Sequence, residues 1–306
     1  MRGCRPAAHG VRDPGSARLL AGLLVALTFT PASVAWSAGD VRASADGAGN
    51  LTIRGDRLAN GILLSGSGEA PEGALRLTGE SGTTVNGEAE VGVLATGRIR
   101  VLLGPGDDVL RIEAEIPGDV TIRAGAGNDR VELFGGEVRG ELRIEAGAGA
   151  DAVTSIGSVH GGSVRIDTGR GADLVYEGFS CFGGSFAIDT GPGADAVSVD
   201  PPSNILVVPC GVRGDLVVET GTGADQVSIG TILDGALGVA LGPQEDVLDL
   251  CAVVGGPALL SGGAGSDLLA DGGASTFLAG DPKIRGFQAF GTASCLIIVG
   301  LHQEPD

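Results

Sequence analysis

The chain is predicted to be all-β: a single-stranded, right-handed parallel β-helix of about eight 21–22-residue coils with irregular β caps. Three observations predict it. A motif recurs at a nearly constant period, apolar and polar residues alternate within each period, and glycine is abundant (56 of 306 residues) while large aromatics are scarce.

The period is read from the glycine that precedes each apolar pair: Gly97, Gly118, Gly140, Gly162, Gly184, Gly214, Gly235 and Gly256. Their intervals are 21, 22, 22, 22, 30, 21 and 21 residues. Eleven residues after each anchor stands an aspartate: Asp108, Asp129, Asp151, Asp173, Asp195, Asp225, Asp246 and Asp267. Eight matches at one offset identify a solenoid, in which each coil buries its apolar edge only by stacking on its neighbours.

The alternation supplies the strands. Two residues after the anchors come Ile99, Val120, Leu142, Val164, Phe186, Leu216, Leu237 and Ala258. Four after them come Val101, Ile122, Ile144, Ile166, Ile188, Val218, Val239 and Leu260, with charged residues between, as in Arg143 and Glu145. Period two describes a strand with one face inward. A second inward column follows the aspartates, from Leu110, Val131 and Val153 to Leu248 and Leu269. A third precedes the next anchor: Ile116, Val138, His160, Phe182, Val212, Leu233 and Val254. Three inward columns per 21–22 residues make one coil, and eight coils at strand spacing give a rod core of about 38 Å. Parallel crossovers predict a right-handed winding.

The repeats occupy residues 97–276. Residues 36–96 keep strand-like pieces (NLTIRG, GILLSG, ALRLTG) out of register and are expected as an N-terminal β cap, with 277–306 as a C-terminal cap. Caps cover the unpaired strand edges of an open solenoid. One coil carries eight extra residues, in DPPSNILVVPCG, and is expected to fold the loop over the rod's flank, with a protruding loop that contacts a partner as the alternative.

Residues 1–35 have the order of a secretory signal. Arg2, Arg5, Arg12 and Arg18 precede the apolar run Leu19 to Phe29, and cleavage after Ala35 places Ser33 and Ala35 in the small-residue positions. The run is short for a membrane span, so the exported chain is expected to have none. Export implies a secreted, periplasmic or cell-surface destination. Without the signal the net charge moves from −18 to −21, a surface that repels nucleic acid and favours cations or water. The four cysteines that remain, Cys181, Cys210, Cys251 and Cys295, are disulfide candidates: Cys181 with Cys210 across neighbouring coils, Cys251 with Cys295 to the cap.

Catalysis finds little footing. Only His160 and His302 remain after the signal, His160 lies in an inward column, and no nucleophile–base pair is visible. An enzyme is not expected; a polysaccharide-active β-helix is the alternative in that class. Thr168, Thr190 and Thr220 share a column, too few of the eight coils for a regular threonine face.

The turns themselves read x-G-x-G-x-D-x-apolar. TGRGADLV, TGPGADAV and TGTGADQV begin at Thr168, Thr190 and Thr220, and GGAGSDLLA spans Gly262 to Ala270. These turns resemble the glycine-rich nonapeptide of bacterial exoproteins with hemolysin-type, repeats-in-toxin calcium-binding repeats. The resemblance implies a parallel β-helix and Ca2+ held between successive turns by backbone carbonyls and the motif aspartates. Position by position it points to Asp108, Asp129, Asp151, Asp173, Asp195, Asp225 and Asp267 as metal ligands. The turn before Asp246 reads GPQED, without the second glycine, and is left out of that set. The physical argument runs the same way: unit charges about 5 Å apart repel by roughly 3 kcal/mol at an effective dielectric of 20, and a hard divalent ion converts that cost into binding. A second acidic column, Glu145, Asp167, Asp189 and Glu219, has the same spacing. The competing reading has each aspartate bonding a backbone N–H while the glycines permit positive φ. The expected role is an acidic structural or surface module with an unidentified surface or matrix partner; a metal-free adhesive rod is the alternative.

Overall fold

The inward columns fold as strands because alternation gives each one an apolar face, and every residue of the three columns is at most 6 % exposed. In the computed structural model the described residues are 39–68, 72–199, 211–271 and 275–291, all within the unit Trp36–Asp306. The export segment 1–35, His302, Cys210, Cys295 and the inserted residues 200–210 lie outside them.

The strands form three faces of a right-handed parallel β-helix. The first face is a 12-stranded sheet whose repeat strands include Val120–Ala126, Leu142–Ala148 and Val164–Arg170. The second is another 12-stranded sheet, with Arg130–Phe134, Ala152–Ile156 and Leu174–Gly178. The third is built from two-residue strands such as Glu137–Val138 and Val159–His160, and Val212 bridges Phe182 to Leu233 to join its two parts. Register is kept from coil to coil: Val120 pairs Leu142, which pairs Val164, and Val131 pairs Val153, which pairs Val175. It also survives the insertion, since Val199 pairs Ile229 directly. Like stacks on like, so one choice of inward residue propagates along the rod.

The stacking extends past the repeat on both sides. Leu51–Arg54 and Gly61–Gly66 pair in parallel with Ile99–Pro105 and Val109–Glu113, making a coil before the first motif. Antiparallel strands then close that end: Asp40–Ala45 on the first sheet, Ala74–Glu80 and Glu90–Leu94 on the second. Reversing strand direction uses the open hydrogen-bonding edge internally. At the other end Thr276–Phe277, Lys283–Arg285 and Phe287–Gly291 add one shortened coil, with a register shift between Asp267 and Leu268.

Cys181 and Cys251 are each disulfide-bonded, and the partners expected for them, Cys210 and Cys295, lie outside the described residues; no disulfide joins two described cysteines. Cys181 and Cys251 stand three coils apart, roughly 14 Å at strand spacing, beyond the separation of about 7 Å that a disulfide spans, so they are not bonded to each other. Neither of the two is a free thiol.

The turns decide how closely coils approach. Gly127 and Gly149 have φ of 136° and 144°, and a Cβ on Gly149 would overlap the carbonyl oxygen of Gly127 beneath it. Glycine is needed there for contact between coils as well as for its backbone angle. Gly157, at φ 64°, has open space around it. Gly157→Ala is therefore expected to cost about 1–2 kcal/mol, the left-handed penalty alone. Gly149→Ala adds overlap with the neighbouring turn and should cost more than about 3 kcal/mol. Parallel denaturant titrations of the two variants check the order.

Candidate functional site

The eight motif aspartates begin the second-sheet segments, immediately after the glycine turn. All eight point inward and are at most 3 % exposed, which the sequence reading did not anticipate. At this corner the chain changes direction, and the backbone N–H of each aspartate meets a side chain of the next coil instead of a carbonyl. Asp108 N–H donates to Asp129 Oδ1 (2.8 Å), Asp129 N–H to Asp151 Oδ1 (2.7 Å), and Asp151 N–H to Asp173 Oδ1 (2.8 Å). The series continues through Asp195, Asp225, Asp246 and Asp267 at 2.8–3.0 Å. The carboxyls thus form one uninterrupted ladder.

Amides terminate it at both ends. Asn60, on the coil before the first motif, donates its backbone N–H and its Nδ2 to Asp108 Oδ1 (2.7 and 2.9 Å). At the far end Asp267 N–H donates to Gln288 Oε1 (2.7 Å). Neither residue belongs to the repeat, so periodicity could not find them; the strand pieces around Asn60 were the only signal.

Asp246, set aside for its missing glycine, takes its place in the ladder. Gln244 adopts φ 94° where the other turns use glycine, and its Oε1 accepts the Gly223 N–H (2.8 Å). That side-chain bond offsets part of the cost of a left-handed non-glycine residue.

Each carboxyl spends Oδ1 on the ladder, and each Oδ2 is buried without a hydrogen-bond partner. Burial comes first in raising the pKa values, opposed by the ladder hydrogen bonds and reinforced by like-charged neighbours. It lifts Asp108, Asp151, Asp195 and Asp246 to about 6 and Asp129 to about 7. Asp173 and Asp225 are raised by the same burial.

The second acidic column does not join the first. Glu145, Asp167, Asp189 and Glu219 lie on the outward face of the first sheet. Arginines partner part of it: Arg123 and Arg143 reach Glu145 at 2.6 and 2.7 Å, and Arg165 reaches Asp189 at 3.8 Å. Such half-exposed pairs contribute about 0–1 kcal/mol each.

Of the oxygens at the turns, the carbonyls are hydrogen-bonded between coils while the buried aspartate Oδ2 atoms are not. Consecutive turns are already bonded, with Gly106, Gly127, Gly149 and Gly193 N–H donating to the carbonyls of Ala126, Ala148, Arg170 and Thr222 at 2.7–2.9 Å. Their glycines stack directly on one another, and buried aspartate oxygens lie beside them, as Asp173 Oδ1 does beside Gly171. Among the described residues no three His, Cys, Asp or Glu side chains converge as metal ligands.

The remaining candidates are structural in their contacts. His160 is 1 % exposed, stacks on Phe182 at 5.0 Å, and shares its Nε2 with Ser155 Oγ (3.2 Å). Burial lowers its pKa to about 4, so it is neutral. Thr168, Thr190 and Thr220 are fully buried and donate to the carbonyls of Thr190, Thr220 and Leu241 on the next coil, so they present no outer face.

No family model, curated protein or solved structure matches the chain. The β-solenoid therefore stands on its own coordinates, and the resemblance to hemolysin-type repeats rests on the motif alone. Among the described residues no helix is long and apolar enough to cross a membrane.

Removing one rung tests the ladder. Asp151→Ala leaves the buried Asp129 N–H without an acceptor and should cost about 1–3 kcal/mol. Asp151→Asn keeps the acceptor and should cost clearly less at neutral pH. Urea titration of the two variants, with amide exchange read at Asp129, separates the outcomes.

Proposed function

We propose that this chain is an exported, non-catalytic structural rod, an acidic module of a cell surface or extracellular matrix. One observation carries the reading. The most regular residue of the repeat, the turn aspartate, is used inside the rod to hold coil to coil, where a repeat built for binding would turn it outward. A period maintained over eight coils then serves length and rigidity.

The outer surface suits that role. Its net charge, −18 for the whole chain and −21 without the N-terminal segment, favours hydration and repels other anionic polymers. One surface hollow is an open groove beside Glu72, Glu113, Glu115 and Arg139, without histidine or cysteine in its lining. The N-terminal arginine, apolar and small-residue order supports export.

Thermal melting with calcium and with chelator tests the reading. A self-sufficient rod keeps its Tm within about 1 °C between roughly 5 mM calcium and EDTA, because a ligand stabilises only in proportion to its binding of the folded state. A calcium-dependent rise of several degrees that Asp151→Asn and Asp173→Asn abolish would overturn it and assign the turns to the ion.

A further inference from the structure

We propose that two copies of this chain pack face to face and antiparallel through the outer face of the first sheet, making a symmetric dimer of rods. The pairing follows from how charge is distributed along that face and does not depend on the rod's location or on any ligand.

Strands stacked in register present two outward columns, because side chains alternate across each strand. One column runs Arg100, Thr121, Arg143, Arg165, Ala187 and Val217, and the other Leu102, Arg123, Glu145, Asp167, Asp189 and Glu219. All of them are exposed or half-buried. Counted over these columns, the charge changes sign along the rod. The strands of Arg54, Arg100 and Arg123 are positive, those of Arg143 with Glu145 and Arg165 with Asp167 are neutral, and those of Asp189 and Glu219 are negative. Packing within a coil does not require this order, since the inward columns are apolar in both halves.

The order is self-complementary. A half-turn about an axis lying across the face, between Leu142–Ala148 and Val164–Arg170, reverses the coil order of the second rod. It lays the strand of Arg100 over that of Glu219, the strand of Arg123 over that of Asp189, and the two neutral strands over each other. Symmetric parallel packing would instead lay positive on positive and negative on negative, which disfavours it. Arg54, Arg100 and Glu219 make no ion pair within the rod among the described residues. The antiparallel dimer therefore gains an Arg100–Glu219 contact twice, which a single rod cannot form.

Size and shape agree. Ala187, Gly238 and Ala240 keep part of the face low, and Val217, 38 % exposed, gives it an apolar spot. The strands from Leu51–Arg54 to Leu237–Ala240, at about 4.8 Å spacing and about five residues of 3.3 Å across, cover roughly 630 Å2. About 1,300 Å2 for the pair lies at the lower end of specific, stable interfaces. An anionic polymer would engage the arginine half and be repelled by the acidic half; a second copy engages both.

Sedimentation equilibrium of the purified protein tests the pairing. The parent is expected to dimerise with a dissociation constant in roughly the micromolar range. Raising salt from about 50 to about 500 mM should weaken the dimer about tenfold. Arg100→Glu sets acid against acid and Glu219→Arg sets base against base, and each should weaken it by at least about tenfold. Both side chains point outward, so circular dichroism should match the parent. Mixing the two variants should restore the dimer, because each rod then offers the other the opposite charge at both contacts. Arg213→Glu, exposed on the third face, should leave association unchanged. A parent that stays monomeric at about 100 μM, or a mixture that associates no more tightly than its components, overturns the proposal. So does a monomer that binds polygalacturonate through Arg100, which would assign the face to an anionic polymer.

Discussion

The structure depends on a hydrogen bond between coils: a backbone N–H at one corner donating to the aspartate Oδ1 of the next. Strands satisfy their backbone groups by stacking, but a corner turns some of those groups away from the ladder of the sheet. An inward aspartate meets the unpaired N–H, and because its own N–H is unpaired for the same reason, the next coil must repeat the solution. The motif's constancy follows from that recursion. A rung without an oxygen acceptor breaks it, and the amides of Asn60 and Gln288 end it.

The other regularities follow from the same contact. Carboxyl and N–H meet only if the turns are as close as the strands, so glycines stack directly on glycines with positive φ. Close turns in turn commit the carbonyls to neighbouring N–H groups. The charge available to solvent lies elsewhere, on the outward column where Arg123, Arg143 and Arg165 meet Glu145 and Asp189.

Much of this was legible in the chain. The three apolar columns were read residue by residue and all are buried, and His160 was placed inward, where it stacks on Phe182. Periodicity works for such positions because a solenoid repeats its environment together with its residues. It fails where the environment repeats without the residue. Asn60 holds the aspartate position with no motif around it, Gln244 holds a glycine's φ, and Gln288 closes the ladder from beyond the repeat. The direction of the aspartates was not legible for a related reason. Charge and a glycine turn both suggest solvent, and only the unpaired corner N–H explains why burial wins.

The sequence by itself determined the all-β solenoid, the coil length, the inward apolar columns and the column of like acids at each corner, because these are periodic and each coil is the template for the next. Tertiary structure decided what the acids do. Whether a carboxyl faces water, metal or a neighbouring N–H depends on the stacking distance between turns and on which backbone groups the corner leaves unpaired. Both are properties of two coils in contact, and no single repeat contains them.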